Sequence, residues 1–159
     1  REDIDRTMAA YNGLGVHVQL RHFFDNVPEL LGAAHLLITR SGASTIAEAA
    51  VAGRPAIFVP YPHAADDHQS ANAAVAATHG AGWIMPQPEF TPAALAARLS
   101  QFSETPELLR DAAAAAAAFS IPDAAARLAN VVAALIRGTN GHGFEPSAMQ
   151  STPANSGAV

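Results

Sequence analysis

A chain of 159 residues, half of them hydrophobic and 14% charged, can bury one sizeable core, so one globular domain is the expectation. The net charge of −5, with nine Lys and Arg scattered along the chain, argues against a protein that tracks a nucleic-acid backbone, which needs clustered cations. Absence of cysteine removes disulfides and thiolate metal sites, and no apolar run approaches the ~20 residues that a spanning helix requires.

The chain starts at Arg1 without a Met or a signal-like segment, and it reads as a fragment. A helical pattern over 2–11 is followed by a β-rich run, Val16–Leu20, and a second helical pattern over 26–33 by the run Leu36–Thr39. Helix 45–52 then precedes the run Ala56–Pro60, and helix 67–79 precedes Gly82–Met85. Such alternation predicts βα units and a parallel sheet. Because 36–39 and 56–60 are almost continuously apolar, they are expected at the centre of the sheet, covered on both faces. Gly53 and Gly80 stand just past helical patterns, where a left-handed residue ends a helix. Three further helices are predicted at 91–101, 105–118 and 122–136, with Pro92 and Pro122 at first-turn positions. Residues 1–137 are expected to form the domain. From Gly138 to Val159 the composition turns to Gly, Ser, Pro, Asn and Thr, the pattern of a disordered tail.

The segment Arg40-Ser41-Gly42-Ala43-Ser44-Thr45-Ile46-Ala47-Glu48 joins a strand end, a turn of small residues and a helix start. Small residues let the backbone approach a ligand closely, and the N–H groups of the following helix favour a phosphate or diphosphate. In an open parallel sheet, ligands bind at the carboxyl ends of strands, where this turn falls. Thr45 and Glu48 also have the spacing of a capping box, with Thr45 at the cap. Alternatively, Glu48 faces the crevice and accepts hydrogen bonds from the vicinal hydroxyls of a ribose. Spacing leaves both readings open.

A second segment, from Pro60 through His63, Asp66 and Asp67 to His68, Gln69 and Asn72, opens onto the same crevice. Gln and His near a helix N-terminus can hydrogen-bond sugar hydroxyls without adding negative charge beside a diphosphate. The His and Asp spacing matches no zinc-ligand pattern, so no metal is expected, and His17, His22 and His35 are given no catalytic role.

Three blocks in order, Arg40 to Glu48, Ala52-Gly53-Arg54-Pro55-Ala56-Ile57-Phe58-Val59-Pro60, and Asp67-His68-Gln69-Ser70-Ala71-Asn72-Ala73, closely resemble the carboxy-terminal donor domain of family 28 glycosyltransferases. A looser similarity extends from about Val16 to Ile136 and includes Phe23-Phe24-Asp25-Asn26 and the helix start at Ser120–Arg127. The resemblance implies an α/β, Rossmann-like domain of the GT-B fold that here lacks its first two strands, the Gly-Gly-Ser loop and the amino-terminal acceptor domain of the family. It further implies an inverting N-acetylglucosaminyltransferase of peptidoglycan synthesis. Such an enzyme takes UDP-N-acetylglucosamine as donor and a lipid-linked muramyl-pentapeptide as acceptor, at the cytoplasmic face of the inner membrane, with no nucleic-acid partner and no cofactor. By the same resemblance Glu48 binds the ribose, while Ser41, Gly42, Ala43, Ser44 and Thr45 lie by the diphosphate. His68 and Gln69 contact the N-acetylglucosamine, Phe24 meets the uracil through its backbone, and Arg40 and Asn72 count among the substrate-binding residues. The catalytic base belongs to the missing domain. Family members commonly carry two Gln where His68 and Gln69 stand, and the preceding loop here has one extra residue. Two other readings are a non-catalytic donor subunit that pairs with a separate acceptor subunit, and an isomerase acting on UDP-N-acetylglucosamine at its 2-position.

Overall fold

The structure is a computed structural model that describes residues 2–136, and the tail expected after residue 137 lies outside the described residues. The described residues fall into two compact units, 2–121 and 122–136, and each is described by itself.

In the first unit, α1 (Glu2–Gly13) and α2 (Val27–Ala33) precede β1 (Leu37–Thr39). Then come α3 (Ala43–Val51), β2 (Ala56–Phe58), α4 (His68–Thr78), β3 (Gly82–Ile84), α5 (Pro92–Glu104) and α6 (Glu107–Phe119). The sheet is parallel in the order β1-β2-β3, with Leu37 opposite Ala56 and Ala56 opposite Gly82. Parallel pairing requires a crossover between strands, which α3 and α4 supply. Gly53 and Gly80 adopt φ of +62° and +77°, ending α3 and α4 as the sequence predicts.

Alternation along β2 divides the core. Ala56 and Phe58 face one layer with Ile46 of α3, Ala73 and Ala76 of α4, and Ala116 of α6. Ile57 and Val59 face the other with Met85 and Phe102 of α5. Apart from Ile46, the buried positions of α3, α4 and α6 are alanine, which lets these helices pack closely where a longer side chain would hold the backbones apart. On the second face Trp83 and Phe102 stack at a tilt, with centroids 4.4 Å apart.

Two expectations are corrected. Val16–Leu20 forms no strand, because a strand exists only through its ladder and no described residue pairs with this run. The run 36–39 is not central either: among the described residues only β2 has neighbours on both sides, and Ile38 of β1 remains 45% exposed.

The second unit contains α7 (Ala124–Ile136). Asp123, at its start, is ion-paired with Arg127 at 2.9 Å, and this hydrogen bond holds its carboxyl below the usual carboxylate range. The stretch 107–136 is apolar enough to pass for a membrane span. It is not one helix, because the chain breaks at Ser120–Asp123, and each 13-residue piece would extend only ~20 Å.

Candidate functional site

Because the strands are parallel, the carboxyl ends of β1 and β2 emerge side by side, and ladder bonds carry the pairing to the very end: Val59 N–H donates to Thr39 O at 2.8 Å. Directly after β1, Gly42 caps α3 with φ −64° and ψ 145° and no side-chain cap. The first intrahelical bond runs from Ile46 N–H to Gly42 O at 3.0 Å. N–H groups of the preceding helical residues, Ala43, Ser44 and Thr45, therefore have no acceptor within the helix and open toward the strand ends. The capping-box reading fails here, since the helix begins two residues before Thr45, which then stands at its third position, with Glu48 at its sixth. A glycine cap followed by Ala and Ser allows that earlier start, and it leaves the helix N-terminus without a side chain across it.

Four cross-bonds hold the end of β1 against the end of β2 and the start of α4. Ser41, fully buried, donates its hydroxyl to Gln69 O at 2.8 Å. Asn72 Nδ2 donates to Ser41 O at 3.2 Å. Arg40 Nη1 donates to Val59 O and Pro60 O at 3.2 and 3.1 Å, with its guanidinium 5.5 Å from the centre of the Tyr61 ring.

The loop from β2 to α4 passes through Asp66 and Asp67, both left-handed at φ 49° and 50°. Two consecutive non-glycine residues there carry a backbone cost that the surroundings must offset, and Ser70 assists by donating its hydroxyl to Asp67 Oδ1 at 2.6 Å. This tight reversal puts His68 and Gln69 in the first turn of α4, beside the α3 N-terminus. Gln69 Oε1 accepts from Tyr61 N–H at 3.1 Å, which fixes the amide's orientation and leaves its NH2 as the group able to donate to a ligand.

Glu48 is exposed on the face of α3 opposite the buried Ile46, Ala49 and Ala50, below Ser44 and Thr45. Five residues past Ala43, it stands ~7.5 Å along the axis from the helix start. Phe24 lies in the irregular segment between α1 and α2, half-buried, with the Arg21 guanidinium 5.6 Å from the centre of its ring. Sequence reasoning missed Gln87 and Phe90. With Ile38, Thr39, Arg40 and Val59 they line a cleft of about 430 Å³ beside the strand ends. The available signal was position, because both follow the carboxyl end of β3, where the ligand-binding edge of such a sheet lies. Among the described residues no three His, Cys, Asp or Glu side chains gather as a metal ion would need.

Gly42 offers a clean test of backbone approach. A Cβ built there meets only Thr45 Oγ1 at 3.7 Å, and its φ suits any residue. Gly42→Ala is expected to cost no more than ~1 kcal/mol of stability through the poorer cap. For a ligand whose phosphates approach the backbone at the opening of α3, the added methyl would occupy their space, and binding of a nucleoside diphosphate at this place should fall at least about tenfold. Thermal unfolding and calorimetric titration of the same sample check both halves.

Residues 1–128 match the glycosyltransferase family 28 C-terminal domain. A protein of Rhodospirillum centenum named UDP-N-acetylglucosamine--N-acetylmuramyl-(pentapeptide) pyrophosphoryl-undecaprenol N-acetylglucosamine transferase is 52% identical over 94% of this chain and 40% of its own length. A Rhodospirillum rubrum protein of the same name is 51% identical over 84% of this chain and 34% of its own length. The crystal structure of Acinetobacter baumannii MurG superposes with a TM-score of 0.74 at 32% identity, over 84% of this chain and 40% of that one. The chain thus spans about 40% or less of the length of these relatives.

Proposed function

The chain belongs to the glycosyltransferase family 28 C-terminal domains, and from that premise we propose that it is the donor-binding part of an inverting N-acetylglucosaminyltransferase of peptidoglycan synthesis, holding UDP-N-acetylglucosamine at the carboxyl ends of β1 and β2. One observation carries the reading: the α3 N-terminus, free of any side-chain cap, opens onto the small-residue turn Ser41–Ser44, cross-bonded to a second helix start that presents Gln69. The first turn of α3 receives the diphosphate, Glu48 the ribose hydroxyls, and Gln69 with His68 the sugar. Phe24 bounds the uracil.

In the reaction the acceptor hydroxyl attacks the anomeric carbon, a base removes its proton, and the bond from that carbon to the phosphate oxygen breaks with inversion. The electron pair leaves on UDP, where the N–H groups opening α3 stabilise the developing charge. Backbone donors can take the place that a divalent cation holds in other sugar transferases. Base and acceptor pocket belong to the remaining part of the enzyme. The acceptor is the lipid-linked muramyl-peptide that the relatives' names specify; a lipid-linked acceptor supports a position of the complete protein at a membrane surface, which we read as the cytoplasmic face of the inner membrane. The transferase name shared by relatives near half identity favours this reading over the isomerase.

Calorimetric titration of UDP-N-acetylglucosamine into the folded chain tests the proposal. Saturable binding at one site is expected, with an affinity unchanged by excess chelator. A well-folded chain that binds neither the donor nor UDP would overturn the assignment, and binding lost to the chelator would overturn metal independence.

A further inference from the structure

We propose that Asn72 and Ser41 are positioning residues, a clasp that sets the phosphate-facing end of α3 against the sugar-facing end of α4, and that neither side chain touches the ligand. The inference rests on the donor-site reading above and refines which residues of that site make contact. Ser41 has no exposed surface, and its hydroxyl is committed to Gln69 O at 2.8 Å. One of the two N–H donors of the Asn72 amide is committed in return to Ser41 O at 3.2 Å. The two bonds run in opposite directions between the same pair of segments, so each limits a movement that the other would allow.

What the clasp holds is the Ser41–Gly42 peptide. A trans peptide is planar, with its C=O and N–H pointing in opposite directions. Fixing Ser41 O on Asn72 therefore fixes the direction of Gly42 N–H, at the entrance to α3. At the other end, the bond to Gln69 O seats the first turn of α4, whose Gln69 side chain is itself held by Tyr61 N–H. Loss of the clasp should thus disorder the phosphate side of the site, although Asn72 sits on the helix assigned to the sugar.

That consequence separates positioning from contact. UDP lacks the sugar, so a residue that touches the sugar affects UDP-N-acetylglucosamine and leaves UDP alone. For Asn72→Ala in this chain, the dissociation constants of UDP and of UDP-N-acetylglucosamine are expected to rise by the same factor, about fivefold, as the loss of one hydrogen bond allows. Asn72→Leu keeps the volume without the donor and should reproduce the effect. A variant that merely folded less well would lower the binding stoichiometry at unchanged affinity, so calorimetry distinguishes the two. Weakening confined to UDP-N-acetylglucosamine would overturn the proposal and make Asn72 a sugar contact, and unchanged constants for both ligands would also overturn it. If the unsubstituted chain binds neither ligand, the donor-site reading itself falls, an outcome separate from either of these.

Discussion

Replacing Glu48 by Ala is expected to weaken UDP binding about a hundredfold, or ~3 kcal/mol, while leaving the thermal midpoint unchanged. The magnitude follows from the two charge-assisted hydrogen bonds proposed for Glu48 with the vicinal hydroxyls of a ribose, each contributing ~1.5–3 kcal/mol. The unchanged stability follows from the position. Glu48 is exposed, and it belongs to none of the ion pairs among the described residues, Asp3–Arg6, Glu107–Arg110 and Asp123–Arg127. Alanine is also a strong helix former, so α3 loses nothing in propensity. Glu48→Gln keeps one acceptor and loses the charge, and an intermediate weakening of about tenfold is expected. A nucleotide that lacks both ribose hydroxyls should bind Glu48→Ala and the unsubstituted chain equally. Equal UDP affinity in Glu48→Ala and the unsubstituted chain would remove Glu48 from the site.

The helices and two of the three strands' roles were legible because their signals are local. Gly53 and Gly80 end α3 and α4 at positive φ as expected, and the Ala-rich periodicity located α3 to α6 within a few residues. What failed depended on neighbours. Val16–Leu20 has the composition of a strand, but pairing is non-local and composition cannot supply a partner. The same blindness put 36–39 at the centre of the sheet. At the site, the start of α3 was misplaced because Thr45 and Glu48 imitate a capping box, and only the backbone at Gly42 shows that the helix has already begun. Ser41 and Asn72 were readable as polar residues near a crevice. Their turning toward each other, thirty-one positions apart, could only come from the fold.

Gly82 marks the site's dependence on sheet geometry, and Gly82→Ala is the substitution expected to damage the fold most. A Cβ at that position would overlap Ala56 O and lie 3.1 Å from Ala56 N and C. These are backbone atoms of β2, whose Ala56 has no exposed surface, so no side chain can rotate away to make room. Relief requires β3 to move from β2, across the ladder in which Gly82 pairs with Ala56. Overpacking of this kind costs ~1–3 kcal/mol where side chains can adjust and more where backbone must shift, so a loss of at least ~3 kcal/mol is expected. For the first unit of this chain that corresponds to a drop in thermal midpoint on the order of 10 °C. Nucleotide binding should fall with it in a particular way: fewer competent molecules at ordinary temperature, with near-normal affinity in those that fold, because Gly82 lies at the amino end of β3, away from the ligand-facing end of the sheet. Thermal unfolding and the calorimetric stoichiometry read these separately. A variant as stable as the parent would mean that β2 and β3 can separate freely at Ala56, and the close pairing on which the strand-end site is built would then be wrong.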